Sequence, residues 1–546
     1  MPTKFSDQEA DLRPDKQILI PATLVLIAII VCSILFPEAS EQVLKSTYAV
    51  FAHTTGTWYL WATVVMILLS GYFMLSRYGE IKFGDPDEKP EFNNYSWIAM
   101  MFCSGVAGAV MFWSIVEPLY NLAFPPMFAE PLSRESYEWA MSYVLLHWGP
   151  VTWPWYMVTA LPICYMFYNR KKPVLRISSA AEPLLGDKVN GGIGKGLEIF
   201  FIIGLMFSNA AVMGVSVPIV NHALASTLGI QPSFTLELII LAVSAVIFTV
   251  SVTLGLKKGI KILSDFNVVV ALVMVAFCFI AGPTVFIVDN FTSSFGHMLN
   301  NFMGMMFWTD PYTKGTFPQD WTIFYALWMA SYGPFMGLFI ARISRGRTVR
   351  QVIAMGLAGG IAGSYMIHAV FGGYTLYAQL NGLVDAVGIL NASGGPAALV
   401  AVLSTLPAGS VVLVGYCVFS TIFLATSVDS CAYIISCAAT TRLKINTEPT
   451  CAHRFYWAVV QAALALAAIT LGGLGPVKIF ANFSGALMLV PIVFVVISWF
   501  KMIREDNVLE TCCSPSVAKS HHKSVSEPVS EADLQGAVPV PVPVRD

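Results

Sequence analysis

The chain has 546 residues, of which 56% are hydrophobic and only 12% are charged, with a formal net charge of -2. Soluble domains carry about 25% charged residues, so the composition excludes an ordinary soluble protein, and the near-zero charge gives no support to a nucleic-acid partner. The ten cysteines show no ligand spacing, and no phosphate loop or nucleophile–base pair appears, so we expect neither a metal cofactor nor an enzyme.

Apolar runs of about 20 residues recur along almost the whole chain and predict an all-α integral membrane protein. Two of the connections between spans, 289–319 and 380–408, are unusually long. In the first, the spacing of Phe295, Met298 and Phe302 indicates a helix that lies at the membrane interface. Twelve transmembrane helices are predicted, near residues 17–36, 57–76, 95–121, 138–168, 196–222, 234–255, 264–288, 320–341, 350–376, 409–434, 455–473 and 477–500.

The charged loops predict how the chain crosses the membrane. Nineteen Lys and Arg residues fall in the loops of one side and only four in those of the other, which places both termini in the cytoplasm. The four are Lys45, Arg134, Lys314 and Lys478. We therefore expect a cytoplasmic head over 1–16, a membrane domain over 17–500 and a disordered cytoplasmic tail over 501–546.

Two of the predicted spans contain helix-breaking residues. The third holds Ser104-Gly105-Val106-Ala107-Gly108-Ala109, and the eighth holds Ser331-Tyr332-Gly333-Pro334. Each opens a five-helix half, about 95–288 and 320–500. Interrupted helices at matching positions of two halves indicate the binding site of an inverted-repeat transporter. The alternative is that the glycines only allow close helix packing.

The fourth span contains the aromatic run His147 to Tyr156, with three tryptophans and two prolines. On a regular helix Trp148, Trp153 and Tyr156 share one face. Such rings attract a quaternary ammonium group by cation–π contacts, by about 2 kcal/mol or more when desolvated. The alternative is an aromatic belt at the membrane interface.

The eighth span carries further aromatic candidates. Trp321, Tyr325, Trp328 and Tyr332 follow a 4-3-4 spacing, which is one stripe along a helix and serves either packing or ligand contact.

Thr426 and Ser427 in the tenth span offer oxygen ligands for a small hard cation, unless their hydroxyls bond back to their own helix. Glu117 and Asp429 are the deepest acids, each either functional or a helix brace.

Several of these residues carry a resemblance to a known family. The run Ile340-Ala341-Arg342-Ile343-Ser344-Arg345-Gly346-Arg347-Thr348-Val349-Arg350 closely resembles the betaine/choline/carnitine transporters, as do Trp321 to Tyr325, Glu117-Pro118-Leu119 and His147-Trp148-Gly149. The similarity spans about 17–500. It implies the fold of amino-acid:sodium symporters with two extra N-terminal helices, a homotrimer, and onium substrates such as betaine, choline, carnitine or dimethylsulfoniopropionate.

The resemblance also implies site residues. The substrate-binding candidates are Trp148, Trp153, Tyr156, Trp328, Tyr120, Met329, Tyr332 and Met336. The sodium candidates are the hydroxyls of Thr426 and Ser427 and the backbone carbonyls of Cys103 and Val106. Sodium-independent carnitine exchangers lack the hydroxyl pair and have an arginine where this chain has Asn267.

This chain departs from the family pattern in three places. Ala326 and Met329 replace two rings of the family's Trp-Ala-Trp-Trp, and the glycine-rich stretch of betaine carriers reads Gly105 to Ala109 here, which argues against betaine itself. The tail lacks the basic charge of osmosensing members, so osmotic gating is not expected.

We therefore expect sodium-coupled uptake of an onium compound, at the inner membrane of a bacterium. The alternatives are a sodium-independent exchanger of the carnitine type, supported by Tyr120 and Met336, a proton-coupled choline carrier, and a non-transporting membrane sensor.

Overall fold

A computed structural model describes residues 11–104, 108–172, 176–254, 261–313, 315–442, 448–471 and 474–507. Strands β1 (Asp11–Pro14) and β2 (Thr440–Arg442) pair antiparallel. The helices are α1 (Lys16–Leu35), α2 (Pro37–Leu75), α3 (Asn94–Ser104), α4 (Gly108–Ala123), α5 (Arg134–Leu146), α6 (Trp153–Tyr168), α7 (Ile177–Ala180), α8 (Glu182–Leu185), α9 (Gly192–Leu228), α10 (Phe234–Leu254), α11 (Lys261–Ala281), α12 (Thr284–Phe307), α13 (Phe324–Ile343), α14 (Val349–Ile367), α15 (Gly373–Leu380), α16 (Ala386–Ser404), α17 (Gly409–Ala438), α18 (Cys451–Leu471) and α19 (Leu474–Glu505). Single π-helical turns cover His147–Val151, Gln319–Ile323 and His368–Gly372.

The prediction of an all-α membrane protein is confirmed, because eleven helical stretches in the described part of the chain are long and apolar enough to span a membrane. The set differs from the predicted one. Predicted span 138–168 consists of α5, a π turn and α6, and the described parts of predicted span 95–121 are α3 and α4. Residues 105–107 between α3 and α4 lie outside the described residues. Helix α16, in the predicted connection 380–408, is long and apolar enough to span a membrane, although its backbone is kinked at Gly394. The count of twelve and the division into two repeats therefore stay predictions.

Two boundaries differ from the sequence-based expectation. The seventh span ends at Ala281, and α12 starts at Thr284, so the predicted span 264–288 runs into the next helix.

The predicted helix in 289–319 is confirmed as α12, which buries Met298 and exposes Met303. One face of α12 thus packs on the protein while the other faces outward.

The expected break in the eighth span is wrong. Helix α13 continues through Ser331 to Pro334, and the irregular turn lies before it, at Gln319–Ile323. A proline removes one helix hydrogen bond, and membrane helices tolerate this where neighbouring groups satisfy the freed backbone. The carbonyl that loses its donor at Pro334 is that of Ala330, and next to the proline the Thr159 hydroxyl of α6 lies 2.8 Å from the Gly333 carbonyl. Helix α6 thus contacts α13 where the proline weakens it.

The centre of the molecule is formed by α6, α9, α13 and α19. Helix α13 packs on α6 and α19, and α9 packs on α19 and α17. Helix α9 is almost entirely buried, whereas α1, α10 and α11 bury less than a third of their most apolar stretches. Large apolar side chains such as Leu24, Val246 and Val273 are exposed on these outer helices. The outer helices thus present the surface expected to face lipid.

The two ends of the membrane domain are anchored in ways that the sequence did not indicate. Strand β1, in the predicted polar head, pairs with β2 in the loop that follows α17. At the other end α19 continues to Glu505, past the predicted boundary at 500, and Arg170 contacts Glu505 and Asp506 at 2.9 Å each. Residues 1–10 of the head and 508–546 of the predicted disordered tail lie outside the described residues.

The arginine block that carries the resemblance is a structural joint between α13 and α14. Arg347 is buried, its guanidinium lies 5.1 Å from the ring centroid of Trp97 in α3, and it donates to the Phe92 carbonyl at 2.8 Å and to Asn94 Oδ1 at 2.9 Å. The backbone of the block also pairs with residues 81–83. Arg347 thereby holds the start of α3, the helix with which the predicted third span begins.

We expect Arg347→Ala to lower the melting temperature of the detergent-purified protein by at least about 5 °C, because it removes the cation–π contact, two hydrogen bonds and the packing of a buried side chain. Arg345→Ala is the matched control. Its side chain is 55% exposed and pairs with Glu88, and such pairs contribute only about 0–1 kcal/mol. Equal melting temperatures for the two variants would contradict the role of Arg347 as an anchor.

Candidate substrate site

The aromatic run of the fourth span does not form one regular helix. Helix α5 passes into a π-helical turn, His147–Val151, before α6 begins at Trp153. Pro150 lacks a backbone N–H, and the Thr152 hydroxyl donates to the His147 carbonyl at 2.7 Å. The expectation that a regular helix aligns Trp148 with Trp153 and Tyr156 is therefore wrong, because the wider turn changes the angular register. Such π turns occur frequently at functional sites.

A buried carboxylate organises this turn. Glu117 of α4 is fully buried, and its Oε2 accepts hydrogen bonds from Trp148 Nε1 at 2.9 Å and from the Tyr325 hydroxyl at 2.6 Å. Its Oε1 lies 2.7 Å from His147 Nδ1, and His147 Nε2 lies 3.1 Å from the Thr322 hydroxyl. Because a carboxylate only accepts hydrogen bonds, Nδ1 of His147 carries a proton. One acid thus connects α4, the π turn and the start of α13.

The first group of rings surrounds Trp148. Its ring centroid lies 5.3 Å from Tyr325, 6.4 Å from Trp328 and 4.8 Å from His368. Trp328 in turn stacks on Phe324 at 5.3 Å. Two residues proposed to contact substrate, Trp148 and Trp328, are therefore brought together by the fold, and the buried Glu117 fixes the orientation of Trp148.

The second group contains Trp153 and Tyr156, whose ring centroids lie 5.4 Å apart in an edge-to-face arrangement. The Tyr156 hydroxyl donates to Met329 Sδ at 3.2 Å, and Trp153 Nε1 donates to the Ser364 hydroxyl at 3.4 Å. The end of α14 and the π turn after it link the two groups. The ring of His368, in that turn, lies 4.8 Å from Trp148, and its Nδ1 donates to the carbonyl of Ser364, whose hydroxyl accepts from Trp153.

The other substrate candidates lie farther along the same elements. The ring of Tyr120 lies 5.4 Å from Trp321, which itself lies 6.4 Å from Tyr325. Tyr332 is half-buried one turn beyond Trp328, and Met336 is half-buried one turn beyond Tyr332. The stripe along α13 is thus continuous, while the contact of these side chains with a substrate stays a prediction.

The sodium candidates lie on α3 and α17. The Thr426 hydroxyl donates to the Phe423 carbonyl at 3.0 Å within its own helix, which leaves its oxygen lone pairs free to bind a cation. Ser427 is half-buried beside it, and Cys103 is half-buried near the end of α3. Val106 lies outside the described residues. Hydroxyl oxygens are suitable ligands for a hard cation, so the residues present fit sodium, and the site stays a prediction.

Sequence reasoning identified the rings but missed several residues of this site. Glu117 was singled out as a deep acid and as part of the family resemblance, but the hydrogen bonds of His147 and Tyr325 to it were not anticipated. His368, whose ring lies 4.8 Å from Trp148, and Trp113, whose ring lies 6.0 Å from Trp328, were also missed. The available signal was the placement of an acid next to Pro118 in an apolar span, since such an acid needs buried donors.

A comparison with known protein families shows which family the chain belongs to. The family model described as BCCT, betaine/carnitine/choline family transporter, matches residues 17–508 of the chain. This match covers most of the chain and confirms the resemblance drawn from the arginine block and the aromatic runs. The chain therefore belongs to the betaine/carnitine/choline transporter family, and it is a multi-pass membrane transporter rather than an enzyme.

Proposed function

We propose that the protein imports a small quaternary ammonium or related onium compound, such as betaine, choline, carnitine or dimethylsulfoniopropionate, and that a sodium gradient drives this uptake. The observation that carries the proposal is the pairing of Trp148 with Trp328 around the buried Glu117. Ring faces attract an onium group, and a buried carboxylate adds a negative potential that favours a cation. The substrate candidates lie on α4, α6, α13 and the π turn before α6, and they include two groups of rings.

Sodium coupling is supported by Thr426 and Ser427 together with Asn267. Both hydroxyls are on α17, which packs against α4, the helix that follows the predicted break in the third span. A cation bound between α17 and the break would favour the arrangement of α3 and α4 that binds substrate. Binding of one ligand would thereby strengthen binding of the other.

Uptake of a radiolabelled onium compound into proteoliposomes tests both parts of the proposal. We expect an inward sodium gradient to give at least about tenfold more uptake than potassium, and Thr426→Val to reduce this ratio because it removes a ligand. Thr421→Val is the matched control, since Thr421 lies on the same helix and donates to the Cys417 carbonyl. Equal uptake in sodium and potassium would refute sodium coupling, and no uptake of any onium compound would refute the substrate class.

Two alternative modes share the same site. Tyr120 and Met336 favour a sodium-independent exchanger, which would show counterflow from preloaded vesicles in sodium-free buffer. The contact between His147 and the buried Glu117 favours a proton-coupled choline carrier, in which uptake follows an imposed pH gradient.

We also propose a homotrimer in the inner membrane of a bacterium, with both termini cytoplasmic. The exposed Trp58 and Trp61 of α2 would then face lipid or a neighbouring subunit.

A further inference from the structure

Two indole N–H groups in the aromatic cluster have no hydrogen-bond partner among the described residues. Trp148 and Tyr325 donate to Glu117, but in the described part of the chain Nε1 of Trp113 and Nε1 of Trp328 are buried without an acceptor. The two side chains are 0% and 2% exposed, so bulk water does not reach them. A buried donor without a partner costs free energy, and nearly all such groups in folded proteins are paired with protein, ordered water or a ligand.

The two unpaired donors lie on adjacent rings. The ring centroids of Trp113 and Trp328 are 6.0 Å apart, and the planes are inclined at 68°. Trp113 is on α4, and Trp328 is on α13, so each half of the proposed repeat contributes one donor. Phe324 contacts both rings, at 5.8 Å and 5.3 Å. Because Trp328 also faces Trp148, the donors belong to the surface proposed to hold the onium group.

An indole nitrogen only donates, so whatever completes this pair must accept hydrogen bonds. A quaternary ammonium group has neither donors nor acceptors, and the groups therefore recognise another part of the substrate. A carboxylate has two acceptor oxygens and forms charge-assisted bonds that are about twice as strong as neutral ones. The hydroxyl of a simple amino alcohol accepts only neutral bonds.

The charges around the rings are compatible with a second carboxylate. Glu117 is already shared among three donors. The ammonium of Lys478 lies 4.1 Å from the ring centroid of Trp321, and that ring lies 6.0 Å from Trp113. Lys478 also lies 3.8 Å from Asp320. The pair has no net charge, but its ammonium is the end that lies beside Trp321, so the side of the cluster where Trp113 lies faces the positive end of this pair.

We propose that Trp113 and Trp328 use their indole N–H groups to bind the carboxylate of a zwitterionic onium substrate. The inference rests on the proposed onium transport and selects, within that class, compounds that carry a carboxylate over the purely cationic ones. Trp113 is thereby a specificity-determining residue, and Trp328 contacts the substrate through both its ring face and its nitrogen.

The test compares a zwitterion with a cation in variants that keep an aromatic ring. Binding of glycine betaine, carnitine and choline to the purified protein is measured by isothermal titration calorimetry in sodium buffer. We expect Trp113→Phe and Trp328→Phe each to weaken binding of the best-bound carboxylate compound about tenfold more than binding of choline. The smaller ring changes the onium contact for all ligands, and the ratio of the two affinities removes that common effect.

Trp499→Phe is the matched control, because Trp499 also has a buried indole nitrogen without a partner but packs against Phe73 and Tyr165, away from the site. Its affinity ratio should equal that of the unmodified protein. If Trp113→Phe and Trp328→Phe weakened the binding of the zwitterion and of choline equally, the inference would be overturned. The partner of the two donors would then be ordered water, and the proposed onium binding would be unaffected. Absence of binding of all three compounds to the unmodified protein would instead overturn the proposed function.

Discussion

Replacing Glu117 by glutamine should weaken onium binding by about 100-fold or more while the protein still folds. The substitution keeps the size of the side chain and removes its charge. Glu117 accepts from Trp148 and Tyr325 through Oε2, and Oε1 lies next to His147. An amide has one oxygen and one NH₂ group, so Trp148 and Tyr325 would share a neutral oxygen, and the NH₂ group would face His147 Nδ1, which can accept this bond only after a change of tautomer.

The size of this effect follows from where the donors lie. Each buried donor left without an acceptor costs about 1–3 kcal/mol, and a bond to a charged acceptor contributes more than a neutral one. Trp148 and Tyr325 carry the rings that face Trp328. Loss of the carboxylate therefore replaces the charge-assisted bonds that hold these rings by weaker neutral ones, and it removes the negative potential that favours an onium group.

Glu130→Gln is the matched control, because Glu130 is exposed and the substitution removes the same charge from the surface. Calorimetric binding of an onium compound and thermal unfolding should be measured on both variants. We expect Glu117→Gln to lose affinity and Glu130→Gln to keep it. If Glu117→Gln bound the ligand as tightly as the unmodified protein, the carboxylate would not hold the rings in their binding arrangement.

The contrast between the rings and Glu117 shows what the sequence reveals. Trp148, Trp153, Tyr156 and Trp328 could be identified as candidates because each lies in an aromatic run whose composition is unusual for a membrane span. Glu117 is separated from His147 by 30 positions and from Tyr325 by 208. No local pattern connects such distant residues, so the network that orients the rings required the structure.

Irregular backbone explains the other differences. A regular helix was assumed over 147–156, but the π turn at His147–Val151 changes which side chains share a face. In the eighth span the proline suggested a break, and α13 nevertheless continues through Pro334, beside which the Thr159 hydroxyl of α6 contacts the Gly333 carbonyl. Proline in a sequence indicates a lost hydrogen bond, whereas the surrounding helices decide whether the helix bends, widens or continues.

Gly360→Ala should weaken onium binding by about 30-fold or more by displacing Trp153. A methyl group on Gly360 would lie 2.2 Å, 2.3 Å and 2.4 Å from three carbons of the six-membered ring of Trp153. These distances are far below van der Waals contact. Trp153 is fully buried, packs edge-to-face on Tyr156 and donates to Ser364, so its ring cannot move aside without losing these contacts.

Two other glycines provide matched controls. Gly356→Ala, on the same helix, would bring the new methyl group to 2.4 Å from Met157 Sδ, and the flexible methionine can repack, so we expect a smaller loss of affinity. Gly71→Ala on α2 meets no atom within 4 Å and should bind the ligand normally. An affinity for Gly360→Ala equal to that for Gly71→Ala would show that the position of Trp153 does not matter for binding.

A double substitution distinguishes damage to the site from damage to the fold. Phenylalanine lacks the outer carbons of the indole ring that Gly360→Ala would contact, so adding Trp153→Phe should restore the melting temperature lost in Gly360→Ala. It should not restore the affinity, because the indole face that we assign to the onium group is still absent. Recovery of both properties would mean that Trp153 supports packing alone, and the onium group would then be held by Trp148 and Trp328 beside Glu117.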